Sequence, residues 1–229
     1  MPAGSVVAVV GENGAGKSTL VKLLARMYEP NAGEITADGT DIARIDIQQW
    51  RSRISGAFQD FARLEFLAQT TVGVGDLPRS RDRPAVQAAL DRAGADQVID
   101  QLAAGLDTQL GASWDDGVDV SFGQWQKLAL ARGYMRPEPL LLMLDEPTAG
   151  LDAETEHALF EQFAAGARRA ADNGRVTVLV SHRFSTVRMA DLIVVLDGTR
   201  VAEVGSHAEL IAARGPYAEL YAIQAGAYA

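Results

Sequence analysis

Cysteine is absent from the 229 residues, which removes disulfide scaffolds, thiolate zinc sites and thiol nucleophiles together. A reducing compartment is thereby permitted and not required. Positive charge is scarce: 21 Lys and Arg stand against 30 Asp and Glu, a formal net charge of −9. Binding nucleic acid without regard to sequence needs clustered cations, so nucleic acid is not an expected partner. Long apolar runs are missing too. The longest aliphatic stretches, such as Val6–Val10 and Leu140–Leu144, hold five residues each, whereas a membrane span needs ~20. Met1–Ser5 carries no basic residue, so no secretory signal is read there. Histidine chemistry, if any, rests on His157, His182 and His207. His157 on a helical stretch and His207 in a polar turn read as ordinary surface residues.

What is present is globular. Apolar residues make up 48% and charged residues 22%, ordinary for a folded soluble chain. The length predicts one large domain or two small ones, with room for a sizeable core. Val6–Val10, Leu140–Leu144, Val176–Val180 and Ile193–Leu196 are short, apolar and end at Gly or a polar residue. Such runs read as strands buried on both faces of a parallel sheet, and a parallel α/β sheet places its ligand site at those ends. Helices are predicted over Lys17–Tyr28, stopped by Pro30, and over Pro84–Ala93 and Gln124–Met135. Asp197-Gly198 reads as a tight hairpin turn. Residues 60–138 hold helical patches and no strong strand, so a mostly helical insertion is expected there, inside a core of residues 1–59 and 139–229. Asp115, Asp116 and Asp119 read as a solvated acidic loop.

Gly11-Glu12-Asn13-Gly14-Ala15-Gly16-Lys17-Ser18 matches G-x-x-x-x-G-K-[ST] without a mismatch, after a strand and before a helix. Its glycines let backbone N–H groups curl around phosphate oxygens, and a helix N-terminus adds a positive dipole end. Lys17 can reach the outer phosphates, and the Ser18 hydroxyl can ligate Mg²⁺. Leu141–Glu146 is an apolar strand ending in two carboxylates. Alone, that pair reads equally as a helix cap before Pro147. Beside a phosphate loop, Asp145 is placed to hold Mg²⁺ through water and Glu146 to polarise an attacking water. His182 follows another buried strand, on the same edge as Lys17 and Glu146, where a γ-phosphate contact is expected. Ser121 with Gln124 forms a capping box. Gly123 has low helix propensity inside that first turn and fits a close ligand approach to the backbone.

Taken together, these residues resemble the nucleotide-binding domain of an ABC transporter, over essentially the whole chain. Gly11–Ser18 resembles the Walker A loop, with Thr19 beside it as a further phosphate contact, and Gln59 resembles the Q-loop. Val120–Gln124 resembles the signature motif, and Leu141–Glu146 resembles Walker B with its catalytic Glu. Ala149-Gly150-Leu151-Asp152 resembles the D-loop, and His182 the H-loop. Segments 181–187 and 205–210 look like the exporter type. The resemblance implies a P-loop core with a helical subdomain carrying the signature. It implies ATP and Mg²⁺ as ligands, the metal held by Ser18, Gln59 and, through water, Asp145. It implies a head-to-tail dimer in which Ser121, Phe122, Gly123, Gln124 and Asp152 serve the partner's nucleotide. It also implies a membrane domain outside this chain and a place at the cytoplasmic face of the cell membrane. Phe122 departs from the family, which has a small Gly there. The family also carries strands upstream with an aromatic that stacks on adenine. Residues 1–10 supply neither, so missing N-terminal strands, and a chain that is a piece of something longer, are expected. Two other readings remain: a soluble ABC-type ATPase, and a nucleotide-gated dimerisation module with little turnover.

Overall fold

The computed structural model describes residues 1–147 and 174–227. The chain divides into two compact units. The first comprises Met1–Ile54, Pro139–Glu146 and the described residues of Ala164–Ala229. The second comprises Ser55–Glu138 and, among the described residues, Pro147.

The architecture is α/β. The main sheet runs in the order β4-β5-β6-β1-β7-β8, with β1 at Val6–Gly11, β4 at Ile54–Ala57, β5 at Leu141–Asp145, β6 at Val176–Val180, β7 at Leu192–Asp197 and β8 at Arg200–Gly205. The chain passes into the second unit within β4. Strand β1 pairs parallel with both β6 and β7, and β5 pairs parallel with β6. The expected apolar runs are these central strands. Val7, Ala8 and Val9 have no exposed surface, and all of β5 is buried, as a parallel sheet covered on both faces requires. β7 and β8 form an antiparallel hairpin whose register closes at Asp197↔Arg200. The turn residues are therefore Gly198 (φ 47°) and Thr199 (φ 76°), and Asp197 belongs to the strand. Positive φ at both centres is the I′ geometry that matches strand twist. A second, two-stranded sheet pairs β2 (Thr36–Ala37) with β3 (Thr40–Asp41) across Asp38 and Gly39, both at positive φ.

Helix α1 covers Lys17–Leu24, four residues shorter than the apolar spacing suggests. Arg26 turns left-handed at φ 51°, and Met27 N–H returns to the Lys22 carbonyl at 2.9 Å while Arg26 N–H returns to Leu23 at 3.0 Å. That closure normally uses Gly. Here the Arg26 guanidinium offsets the strain by donating to the carbonyls of Ile45 (2.6 Å) and Ala43 (3.4 Å).

The second unit is helical among its described residues: α3 (Ala68–Gly73), α4 (Arg83–Ala93), α5 (Asp96–Asp100) and α6 (Phe122–Gly133), with α2 (Ile47–Arg53) ahead of it in the first unit. Helix α4 starts where Asp82 caps Ala85 N–H and Pro84 occupies the first turn. It packs on α6 through a core in which Val86, Leu90 and Leu128 have no exposed surface. In the acidic loop Asp115 and Asp116 face solvent as expected. Asp119 does more, because its Oδ1 accepts the Trp125 indole N–H at 3.3 Å and so ties the loop to α6.

At the carboxyl end of β1, Gly11 adopts φ 152°, and a Cβ there would run into the Leu196 carbonyl oxygen of β7. Gly11→Ala should therefore force β1 and β7 apart and lower unfolding free energy by about 1–3 kcal/mol, the usual cost of overpacking, read from urea denaturation.

Candidate functional site

The first unit gathers three strand ends. Val180 of β6 lies opposite Val9 of β1 and opposite Asp145 of β5. The residues that follow each strand therefore share one edge: the loop from Gly11, Glu146 after β5, and Ser181-His182 after β6.

The loop from Gly11 to Gly16 is shaped by Gly14 (φ 86°) and Gly16 (φ 93°), a left-handed conformation that a side chain opposes. Gly16 is the N-cap of α1. It has no side-chain cap, and the first turn has no acidic residue. The first-turn N–H groups and the positive end of the helix thus face an anion position with no internal competitor. Glu12, Asn13 and Gly14 are exposed on the rim, Ala15 is buried beneath it, and Ser18 and Thr19 follow Lys17 on the first turn. Lys17 is only 8% exposed. Its Nζ donates to the carbonyls of Gly11 (2.9 Å) and Glu12 (3.0 Å), which arches the side chain over the loop. An ammonium has a third donor, and the arch sets where it is delivered.

Asp145 closes β5 and is 4% exposed. Glu146 turns left-handed at φ 48°, and its N–H donates to the Val180 carbonyl at 3.0 Å. The turn brings Glu146 Oε1 to 3.4 Å from His182 Nδ1, the carboxylate mostly buried and the imidazole half-exposed. Ser181 Oγ accepts the Arg183 N–H at 3.0 Å and fixes the turn that presents His182.

The second unit holds the other expected residues. Gln59 is exposed between β4 and α3. Ser121 is the N-cap of α6 and forms the expected capping box with Gln124. Gln124 N–H donates to Ser121 Oγ at 3.3 Å, Ser121 N–H donates to Gln124 Oε1 at 2.8 Å, and Gln124 Nε2 donates to Gln101 at 2.8 Å. Phe122 and Gly123 open the helix. The Phe122 ring is half-exposed, 5.5 Å from the Phe61 ring, with the Arg63 guanidinium 5.6 Å away over its face. Neither Phe61 nor Arg63 belongs to a motif, so nothing in the residue pattern signals this contact. Arg132 of α6 donates to the Ala62 carbonyl at 3.2 Å, and burial pulls its guanidinium below the usual arginine range. The D-loop, Asp152 included, and His157 lie outside the described residues.

Among the described residues, no cluster of three or more His, Cys, Asp or Glu side chains is arranged to hold a metal. The oxygen donors there are instead the Ser18 hydroxyl on the first turn of α1 and two carboxylates, buried Asp145 and mostly buried Glu146. Mg²⁺ suits that set, since it binds through one or two protein oxygens plus substrate phosphates and retained waters.

A strand–phosphate loop–helix with a carboxylate pair at the end of β5, one strand removed from β1 across β6, defines a P-loop nucleoside triphosphatase. Residues 1–149 match the family model described as ABC transporter. The chain is 40% identical over 226 residues to an ATP-dependent lipid A-core flippase of Methylococcus capsulatus, covering 99% of this chain and 36% of that one. It is 36% identical over 208 residues to the subtilin transport ATP-binding protein of Bacillus subtilis, covering 91% and 33%. The solved structure of a bacterial Atm1-family ABC exporter with ATP bound superposes with a TM-score of 0.86 at 38% identity, over 97% of this chain and 37% of that one. The chain belongs to the ABC transporter family, as an ATPase domain. It spans about a third of the length of the curated relatives it matches. Among the described residues, no helix is long and apolar enough to cross a membrane.

Lys17→Ala removes the ammonium expected to make a charge-assisted contact to phosphate. Such contacts are worth about 1.5–3 kcal/mol, so ATP affinity measured by calorimetry should fall by roughly 10- to 100-fold.

Proposed function

We propose that this chain hydrolyses ATP to power an exporter, with residues 1–59 and 139–229 as the RecA-like core and 60–138 as the helical subdomain. The observation that carries the reading is the Glu146–His182 pair, 3.4 Å apart, on the strand edge that also bears Lys17.

In this reading the backbone N–H groups of Gly14 to Thr19 hold the phosphates, and Lys17 neutralises charge on the outer two. Glu146 takes a proton from the attacking water, and its left-handed backbone accompanies the pairing of its carboxylate with His182. His182 orients Glu146 and contacts the γ-phosphate. Mg²⁺, when bound by Ser18 and Gln59 and reached by Asp145 through water, supplies charge neutralisation at the phosphates. Ser121, Phe122, Gly123 and Gln124, with Asp152, serve the nucleotide of a second ABC ATPase domain in a head-to-tail dimer. A transmembrane domain outside this chain would place the dimer at the cytoplasmic face of the membrane and convert closure and release into transport. The names of the relatives and their greater length support this.

The test is Glu146→Gln. Removing a general base costs about 10²–10⁴-fold. The variant should therefore hydrolyse ATP that much more slowly, keep its ATP affinity, and show a nucleotide-dependent dimer by light scattering. A variant that hydrolyses at the normal rate excludes Glu146 as the base.

A further inference from the structure

The hydrolysis chemistry leaves unused an aromatic cluster near the C-terminus. After β8, Ser206 caps helix α8 (His207–Ala213), and helix α9 (Pro216–Ala227) follows. The sequence marked His207 as an ordinary surface residue. It is instead partly buried, its Nδ1 2.8 Å from the Tyr217 hydroxyl. Tyr217 has no exposed surface, and its backbone N–H donates to Glu203 at 2.8 Å. Burial, with Tyr221 adding to it, pushes the Tyr217 hydroxyl up to about 12. It therefore stays protonated, able to donate to His207.

The other side of the cluster is Phe184. Its ring lies 5.3 Å from Tyr217 and meets Tyr221 edge-on at 5.4 Å, the geometry that aromatic quadrupoles favour. His207 closes the group at 5.7 Å from Tyr217 and 5.3 Å from Tyr221. Phe184 is the first residue of the short helix α7 (Phe184–Val187), two positions after His182. It shares one core cluster with Ala8 and Val10 of β1, the strand that runs into the phosphate loop. His182 thus sits in a turn anchored on one side by β6 and on the other by a ring that α9 holds in place.

We propose that Tyr221 and Tyr217, steadied by His207, are positioning residues for His182. Helix α9 is a brace that holds Phe184, and through it the turn that aims His182 at Glu146. The inference rests on the role given to His182 above. A misplacement of about 1 Å at a reacting group can cost up to 10²-fold in rate, so a brace remote from the chemistry has leverage on turnover and little on nucleotide binding.

The test is steady-state ATP hydrolysis by the full chain, with thermal unfolding as the fold control. Tyr221→Ala should lower kcat by about tenfold, within the range expected for misplacement, with KM for ATP unchanged. Tyr221→Phe, which keeps the ring, should restore the rate. In a His182→Ala background, Tyr221→Ala should produce no further loss, because the two residues act as a unit. Tyr221→Leu keeps the bulk without the ring edge, and it gives the same comparison should the alanine variant not fold. A lowered unfolding temperature with unchanged kcat overturns the brace, and so does an equal loss of rate in the His182→Ala background. His182→Ala measured alone separates the two claims. A normal rate there overturns the role of His182 and this inference with it; a slow rate beside an unaffected Tyr221→Ala overturns the brace alone.

Discussion

The Val180 carbonyl oxygen accepts the Glu146 backbone N–H at 3.0 Å, and the site depends on that contact. Without it β5 would have no reason to turn at Glu146, whose left-handed backbone costs ~1–3 kcal/mol for a residue other than glycine. Val180 also lies opposite Val9 and Asp145 in the parallel sheet, so one residue of β6 sets the level of both neighbouring strand ends. The chain then continues directly from Val180 to His182. Carboxylate, imidazole and phosphate loop are in register because they are measured from the same residue.

Electrostatically the site runs against the rest of the chain. An excess of acidic residues gives a net charge of −9, yet the phosphate loop presents Lys17, uncapped N–H groups and a helix dipole. Acidic side chains are normally favoured in a first helical turn; α2, α3, α4 and α6 have none there, and neither does α1. Here one would compete with phosphate.

The parts of the fold readable in the sequence were those with local causes. Val6–Val10 and Val176–Val180 are continuous apolar runs because both faces are covered. The phosphate loop was legible because its glycines must take positive φ, and the α6 start because Ser121 and Gln124 cap each other. The illegible parts have remote causes. Helix α1 stops early because Arg26 finds carbonyls at Ala43 and Ile45. The β2–β3 hairpin carries the same Asp-Gly signal as β7–β8, but strands of two residues show no apolar run. The pairing of Glu146 with His182 and the contact of Phe122 with Phe61 and Arg63 join segments distant in sequence, and the burial of His207 against Tyr217 joins two successive helices across ten residues. Residue type marked Glu146 and His182 as candidates, while distance along the chain hid that they touch.

The pairing of β1 with β6 also has a consequence in time. Val9 meets Val180, a partner roughly 170 residues later. At about 5–20 residues per second of synthesis, the first strand exists for roughly 10–30 s before the strand that completes it has been made. During that interval Val6–Val10 is an apolar β-forming segment with unsatisfied backbone, the kind that pairs with copies of itself. The helical unit is closed by contacts nearer in sequence and can form earlier. The nascent chain thus passes through a stage in which helix α6 has its packing partners while the loop from Gly11 still lacks the strands that shape it.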